Sequence, residues 1–195
     1  SGNVLTSDGS TWASAAAGGG AWSRTAGFDF ADTAASDFTF TGLDGSSDRI
    51  YCMICAGFNS SIGNYNLTMQ GGTSGGIITT TVYSYHVSAL ADDSTSYGTA
   101  VSDTNDTSFK MNGTEIFASG TGAAGYCCTL YIYFREATTF VACAGNHTFT
   151  SSGGRTYGGP MIYGLLSDST IDRIKVTCSR EMDQGSATLY TISET

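Results

Sequence analysis

Residues 171–179 read I-D-R-I-K-V-T-C-S, and along them the side chains change character at every step from Arg173 onward. Ile174, Val176 and Cys178 fall on one side of an extended chain, leaving Arg173, Lys175 and Thr177 on the other. A period of two marks a strand with one buried and one wet face, because successive β side chains point to opposite faces. The same alternation recurs upstream. Phe28 and Phe30 flank Asp29, Phe38 and Phe40 oppose Thr39 and Thr41, and Tyr65, Leu67 and Met69 alternate with Asn64, Asn66 and Thr68. Cys128, Leu130, Ile132 and Phe134 form a further inward row. Each such sheet needs an apolar partner, and no segment offers an amphipathic helix to serve as one. The sheets are therefore expected to cover each other in an all-β, antiparallel β-sandwich, jelly-roll-like in type.

Turn clusters punctuate these runs at Leu43-Asp44-Gly45-Ser46, Gly71 to Gly76, Asn112-Gly113, Ser152-Gly153-Gly154 and Gly158-Gly159-Pro160. Their spacing predicts about eight short strands, with Ile77 to Leu90 as one of them. Composition agrees: 26 Gly, a single Pro and only 13% charged residues suit short strands and tight turns rather than salt-bridged helices. A length of 195 residues accommodates one domain with a core, plus an arm. We divide the chain into an N-terminal arm and linker, 1–24, and a β-sandwich domain, 25–195.

The formal net charge is −9, and the eight Lys and Arg residues are scattered from Arg24 to Arg180 without a basic stripe, which argues against nucleic acid as a partner. No apolar run approaches the roughly 20 residues of a membrane helix, so no membrane insertion is expected. The chain opens on Ser1 without an initiator methionine and is expected to be soluble and a fragment or processed form; the lack of a charged and apolar leader decides little, because an export signal can be removed.

Six cysteines raise the questions of zinc and disulfides. Cys52 and Cys55 sit three apart in R-I-Y-C-M-I-C-A, a run that reads as a buried strand, so their sulfurs diverge. Cys127 and Cys128 diverge likewise if Y-C-C-T-L-Y-I-Y-F is a strand, while Cys143 and Cys178 stand alone in apolar runs. Free thiols packed as small hydrophobes are expected, in keeping with a reducing cytoplasm; a cross-strand disulfide stays open as the alternative.

Motifs for chemistry dissolve in their context. Gly72-Thr73-Ser74-Gly75-Gly76 matches a nucleophile elbow, and Gly120 to Gly125 matches a dinucleotide fingerprint, but each leads into a strand-like run where those motifs require a helix. The two histidines, His86 and His147, carry no motif; His86 reads as a strand residue facing water, and His147, after Gly145-Asn146, as a loop residue able to meet a ligand. Glu115, Glu136, Glu181 and Glu194 make a glycosidase pair conceivable only at a separation that sequence does not show. Asp92-Asp93 and Asp103-Thr104-Asn105-Asp106 offer oxygen ligands but lack the glycine and terminal glutamate of a calcium site, and the latter reads as a solvated acidic loop. Sequons occur at Asn59, Asn66, Asn105, Asn112 and Asn146, as Ser/Thr/Asn-rich composition makes expected. The tyrosine rows Tyr83 and Tyr85, and Tyr131 and Tyr133, read as exposed residues in cross-strand packing, with sugar stacking or a neighbouring chain as alternatives. No catalytic residue, metal site or cofactor is assigned, and the ligand-binding residues are unknown.

A resemblance enters at both ends. G-N-V-L-T-S-D-G-S-T-W, 2–12, resembles a linker of tailed-bacteriophage fibre and structural proteins that precedes their terminal domains. F-D-F-A-D-T, 28–33, with F-T-F-T-G-L-D-G-S-S-D-R-I, 38–50, is similar to the start of such a domain, and 169–192 to its final hairpin. The resemblance implies a non-enzymatic virion surface protein, made in the host cytoplasm, homotrimeric, and of tail-fibre, receptor-binding type. A capsid-decoration or head-fibre protein without a receptor is the alternative, and a tail-associated glycan hydrolase, which would usually need a longer chain, a third.

The arm then acquires a role. Val4, Leu5 and Trp12 look like a small hairpin around Asp8-Gly9, followed by an Ala/Gly tether from Ala15 to Gly20. Left exposed, each would forgo about 1.5–3 kcal/mol of burial. We expect them to contact adjacent subunits of a homotrimer and to join the sandwich to other virion proteins, while loop tips distal to the arm meet a host surface glycan or protein.

Overall fold

The computed structural model describes residues 3–7, 12–16, 22–46, 49–61, 64–88, 90–91, 101–112, 125–134, 140–150, 156–166 and 170–192. The strands run β1 (Asn3–Ser7), β2 (Trp12–Ala16), β3 (Trp22–Asp29), β4 (Ala35–Thr41), β5 (Arg49–Asn59), β6 (Leu67–Thr73), β7 (Gly76–Ile77) and β8 (Tyr83–Val87). They continue with β9 (Leu90–Ala91), β10 (Val101–Asp106), β11 (Phe109–Lys110), β12 (Tyr126–Phe134), β13 (Phe140–Thr150), β14 (Thr156–Leu166), β15 (Arg173–Met182) and β16 (Gln184–Ile192). Among the described residues there is no helix, and hence none long and apolar enough to cross a membrane.

Two antiparallel sheets pack together as a β-sandwich. The larger has nine strands in the order β10-β8-β14-β13-β12-β5-β16-β3, with β9 also on β14; the smaller has five, β11-β6-β15-β4, with β7 on β6. The expected count of about eight short strands is too low, and β5, β13 and β14 are each 11 residues long. Strands β1 and β2 form their own two-stranded sheet, in which Ala15 and Ala16 pair with Val4 and Asn3 and so belong to the hairpin rather than to a tether. Strand β3 starts at Trp22, inside the stretch assigned to the arm and linker.

The inward rows are those the period of two picks out. Ile174, Val176 and Cys178 of β15 meet Leu130, Ile132 and Phe134 of β12 in one core, together with Phe38, Phe40, Leu67 and Met69. Aromatic contacts clamp the sheets: Phe38 lies 5.7 Å from Phe58, and Phe109 lies 4.7 Å from Tyr163, measured between ring centroids. Edge-to-face and offset ring pairs of this kind add to the burial of the rings themselves.

The large sheet bends at Gly57. Its φ is +65°, and the ladders on both sides slip there, between Tyr126 and Cys128 against β12 and between Gln184 and Ser186 against β16. Gly185, at φ +94°, lies so close that a Cβ on it would stand 2.5 Å from the Gly57 carbonyl group. Only glycine combines that φ with that approach.

Three segments depart from the sequence expectation. Ile77 to Leu90 is not one strand: it breaks after Ile77 and again after Val87, and Tyr83 reaches inward to hydrogen-bond the Ile78 carbonyl at 2.7 Å. Gly158-Gly159-Pro160 is no turn but the interior of β14. A proline is tolerated there because the neighbouring strand is interrupted between β8 and β9, where the Pro160 carbonyl accepts from the Ser88 amide at 3.1 Å. Asp103 to Asp106 is strand β10 rather than a loop, with a bulge at Asn105, whose φ is +71°.

Candidate functional site

The outward side of the large sheet follows from register. On its five central strands the outward positions are Ile50, Cys52, Ile54 and Ala56 of β5; Cys127, Thr129, Tyr131 and Tyr133 of β12; and Ala142, Ala144, Asn146 and Thr148 of β13. Strand β14 adds Gly158, Pro160, Ile162 and Gly164, and β16 adds Ser186, Thr188, Tyr190 and Ile192. None of these side chains is charged, in a chain whose net charge is −9. The three large hydrophobic side chains that stand exposed among the described residues all belong to this side: Trp22 at 43%, Tyr133 at 41% and Ile162 at 59%.

One end of the face is an aromatic cluster built around a thiol. Cys52 is opposite Tyr131 on one side and Tyr190 on the other, and Trp22 leans over both tyrosines, with ring centroids 6.1 and 5.9 Å away. Cys52 is thereby fully buried although it points out of the sandwich. Burial, reinforced by nearby Cys128, pushes its pKa up to about 11, so it acts as an apolar filler and not as a nucleophile. Shallow depressions lie on the same face, one beside Ile162 with Ser84, His86 and Ala142, another between Ile54, Cys127 and Thr148. Among the described residues charge returns at the margins: Arg24 lies over Gly27 beside Asp29 and Asp32 at β3, and Asp103 of β10 lines the depression beside Ile162.

The small sheet is dressed differently. Its outward row carries Arg173, Lys175 and Thr177 of β15 and Asp37, Thr39 and Thr41 of β4, with Lys175 and Asp37 paired at 3.0 Å.

The residues singled out for chemistry scatter. His147 is a correction: it is no loop residue but the middle of β13, 2% exposed, with Nδ1 3.0 Å from the Met111 carbonyl and no well-formed hydrogen bond to Nε2 among the described residues. Its Gly145-Asn146 prelude is strand, where Gly145 is required because a Cβ would run into the Thr129 backbone. Burial lowers the His147 pKa, opposed by the Met111 and Ser88 carbonyls. His86 is exposed on β8, as expected. Ser74 caps the β6–β7 hairpin, a strand-turn-strand with no helix to make an elbow. Gly120 to Ala124 lie outside the described residues, and Gly125 leads into strand β12.

Tyr83 and Tyr85 are buried in the core, which corrects their reading as surface residues, whereas Tyr131 and Tyr133 do face outward. Glu115, Glu136, Glu194 and Asp92-Asp93 lie outside the described residues, and Glu181 is exposed. Asp106 is engaged with the Thr107 amide at 2.6 Å, the Tyr85 hydroxyl at 3.2 Å and Lys110 at 3.3 Å; burial works against its ionisation, but these partners hold its pKa below the usual value. Asn59 and Asn112 are buried, so those two sequons cannot carry a glycan in the folded domain. All six cysteines are free, with only Cys127 short of full burial. Cys55 and Cys128 are directly opposite across β5 and β12, a pairing that strand parity alone does not reveal. Val4 and Leu5 fall on β1 and Trp12 on β2; their side-chain contacts lie outside the described residues.

Among the described residues no group of three or more His, Cys, Asp and Glu side chains is placed to hold a metal ion. The uncharged face escaped sequence reading because apolar side chains on both sides of a strand erase the period of two; the detectable signal is the absence of charge from five consecutive spatial neighbours. No protein-family model, curated protein or solved structure matches this chain.

Proposed function

We propose that the chain is a non-enzymatic surface domain of a tailed-bacteriophage particle, of fibre type, that serves host attachment as a homotrimer. One observation carries this reading. The stretches that resemble phage fibre domains are far apart in sequence, yet they adjoin in the fold: β16 pairs with both β3 and β5, β15 pairs with β4, and Phe28 stacks on Phe38 with centroids 5.7 Å apart. They compose one continuous side of the sandwich, as a shared structural unit would require.

The histidines fit the non-enzymatic part of the reading: one is locked in the core, the other stands on an open strand face with no motif around it. On this reading Val4, Leu5 and Trp12 of the hairpin touch adjacent subunits and other virion proteins, and a host glycan or protein is met at loop tips on the rigid sandwich.

The test is competition for adsorption. Purified domain is expected to slow attachment of the parent phage to susceptible cells and to be found on the particle by labelled antibody. A domain that labels the head and is needed for particle integrity, but neither binds cells nor slows adsorption, replaces attachment by capsid decoration. A chain absent from particles ends the virion reading.

A further inference from the structure

We propose that the uncharged outward face of the nine-stranded sheet is the surface through which copies of this chain associate. This deepens the homo-oligomeric part of the reading above, does not depend on the virion assignment, and places the main contact on the sandwich instead of the arm.

Three observations select a second copy as the occupant. The first is charge. With a net charge of −9, two copies meeting through most other surfaces bring like charges together, whereas here four outward positions on each of five adjacent strands carry none. A basic partner would instead seek the acidic side chains, which the five central strands of this face do not carry.

The second is extent. Five strands about 4.8 Å apart, each giving four outward positions about 6.6 Å apart, project roughly 600 Å², and the flanking β3 with the shorter β8 raise this to roughly 800 Å². Each partner in a stable protein interface contributes about 800 Å².

The third is texture. Trp22, Tyr133 and Ile162 stand proud of an uncharged centre, and charge reappears at the Arg24 margin, which is the arrangement of an apolar interface core inside a polar rim. Trp22 stands at 84° to Tyr131 and 57° to Tyr190 and meshes with them, so these three rings do not form one flat platform for a sugar.

Sedimentation equilibrium of four full-length chains decides the matter: wild type, Tyr133→Glu with Ile162→Glu, the control Thr39→Glu on the small sheet, and an arm variant with Val4, Leu5 and Trp12 all changed to Ser. The three glutamate sites are exposed, so each chain is expected to keep its thermal transition. Wild type and control should sediment as oligomers, and the double-Glu chain should fall to the 20.2 kDa monomer, with association weakened at least about 100-fold. Retained assembly in a folded double-Glu chain overturns the inference, and if the arm variant dissociates instead, the arm-based trimer stands without it. Should the double-Glu chain lose its fold, Ile162→Lys alone is measured and read by the same criteria. A monomeric wild type overturns the face and the homotrimer together, leaving cell binding to be judged separately.

Discussion

The outward faces of the two sheets are made from the same kind of strand, yet one carries Lys175 paired with Asp37 among threonines, and the other carries Tyr131, Tyr133, Ile162 and Trp22 with no charge across its five central strands. Their inward faces contribute to one core and cannot explain the difference. Burial of the inward half fixes the fold, and it leaves the outward half free to record what each face meets. A lysine-aspartate pair with side chains 29% and 46% exposed records water. An uncharged aromatic band around a buried Cys52 records a surface that is to be covered.

The comparison breaks most completely if the bulged bend within the large sheet, on which its strand register depends, is lost. Gly185→Ala places a Cβ against Gly57 at a φ of +94°, and we expect a loss on the order of 3 kcal/mol or more, read from urea unfolding, with both faces disrupted together. Full stability in that variant would mean that the β5–β16 bend yields to an added side chain at little cost.

Acid should act from beneath the uncharged face. His147 has its folded pKa lowered below the ordinary 6.5, so its neutral form stabilises the fold above about 6.5, and that stability is lost as pH falls through the folded value. The slope is at most about 1.4 kcal/mol per pH unit. His147→Phe should flatten the stability profile just below the unfolded pKa. Asp106, also lowered, contributes a second loss at lower pH, below the ordinary carboxyl value of 3.8, which this variant leaves in place. An unchanged profile in His147→Phe would assign the acid response elsewhere.

The charged face should be nearly indifferent to editing. A double-mutant cycle on Lys175→Ala and Asp37→Ala is expected to give a coupling below about 1 kcal/mol that fades at high salt. A larger, salt-resistant coupling would show that this face too is buried against something. Smallest of all, methyl iodide applied to the native chain should modify Cys127 first and leave the other five thiols until unfolding, since all five are buried. Early modification of Cys52 would show that Tyr131 and Tyr190 do not seal it.

How far the sequence could be read follows from which faces are polar. In β15 and β4 the outward Thr, Lys and Asp make the period of two visible, and their inward residues are those buried in the structure. In R-I-Y-C-M-I-C-A both faces are apolar, so the run announces a buried strand but hides which residues look outward. Glycine and proline misled for a related reason. Gly145 and Gly158-Gly159-Pro160 look like turn punctuation, but Gly145 answers close backbone approach and Pro160 an interrupted neighbouring strand, and both are tertiary facts. The burial of Tyr83 and Tyr85 and the pairing of Cys55 with Cys128 depend on strand order in the same way, and strand order is not a local property.

The central claim is that copies of the chain cover the uncharged face, and Trp22 at its margin reports on that directly. In a Trp12→Phe chain Trp22 is the only tryptophan, and 43% of it is exposed in the single chain. Its fluorescence is to be followed, with acrylamide quenching, from low to high micromolar concentration, alongside the sedimenting mass. Emission that moves to shorter wavelength and becomes harder to quench as the mass rises is the predicted result. Assembly of the chain with Trp22 still red-emitting and fully quenchable would contradict the account.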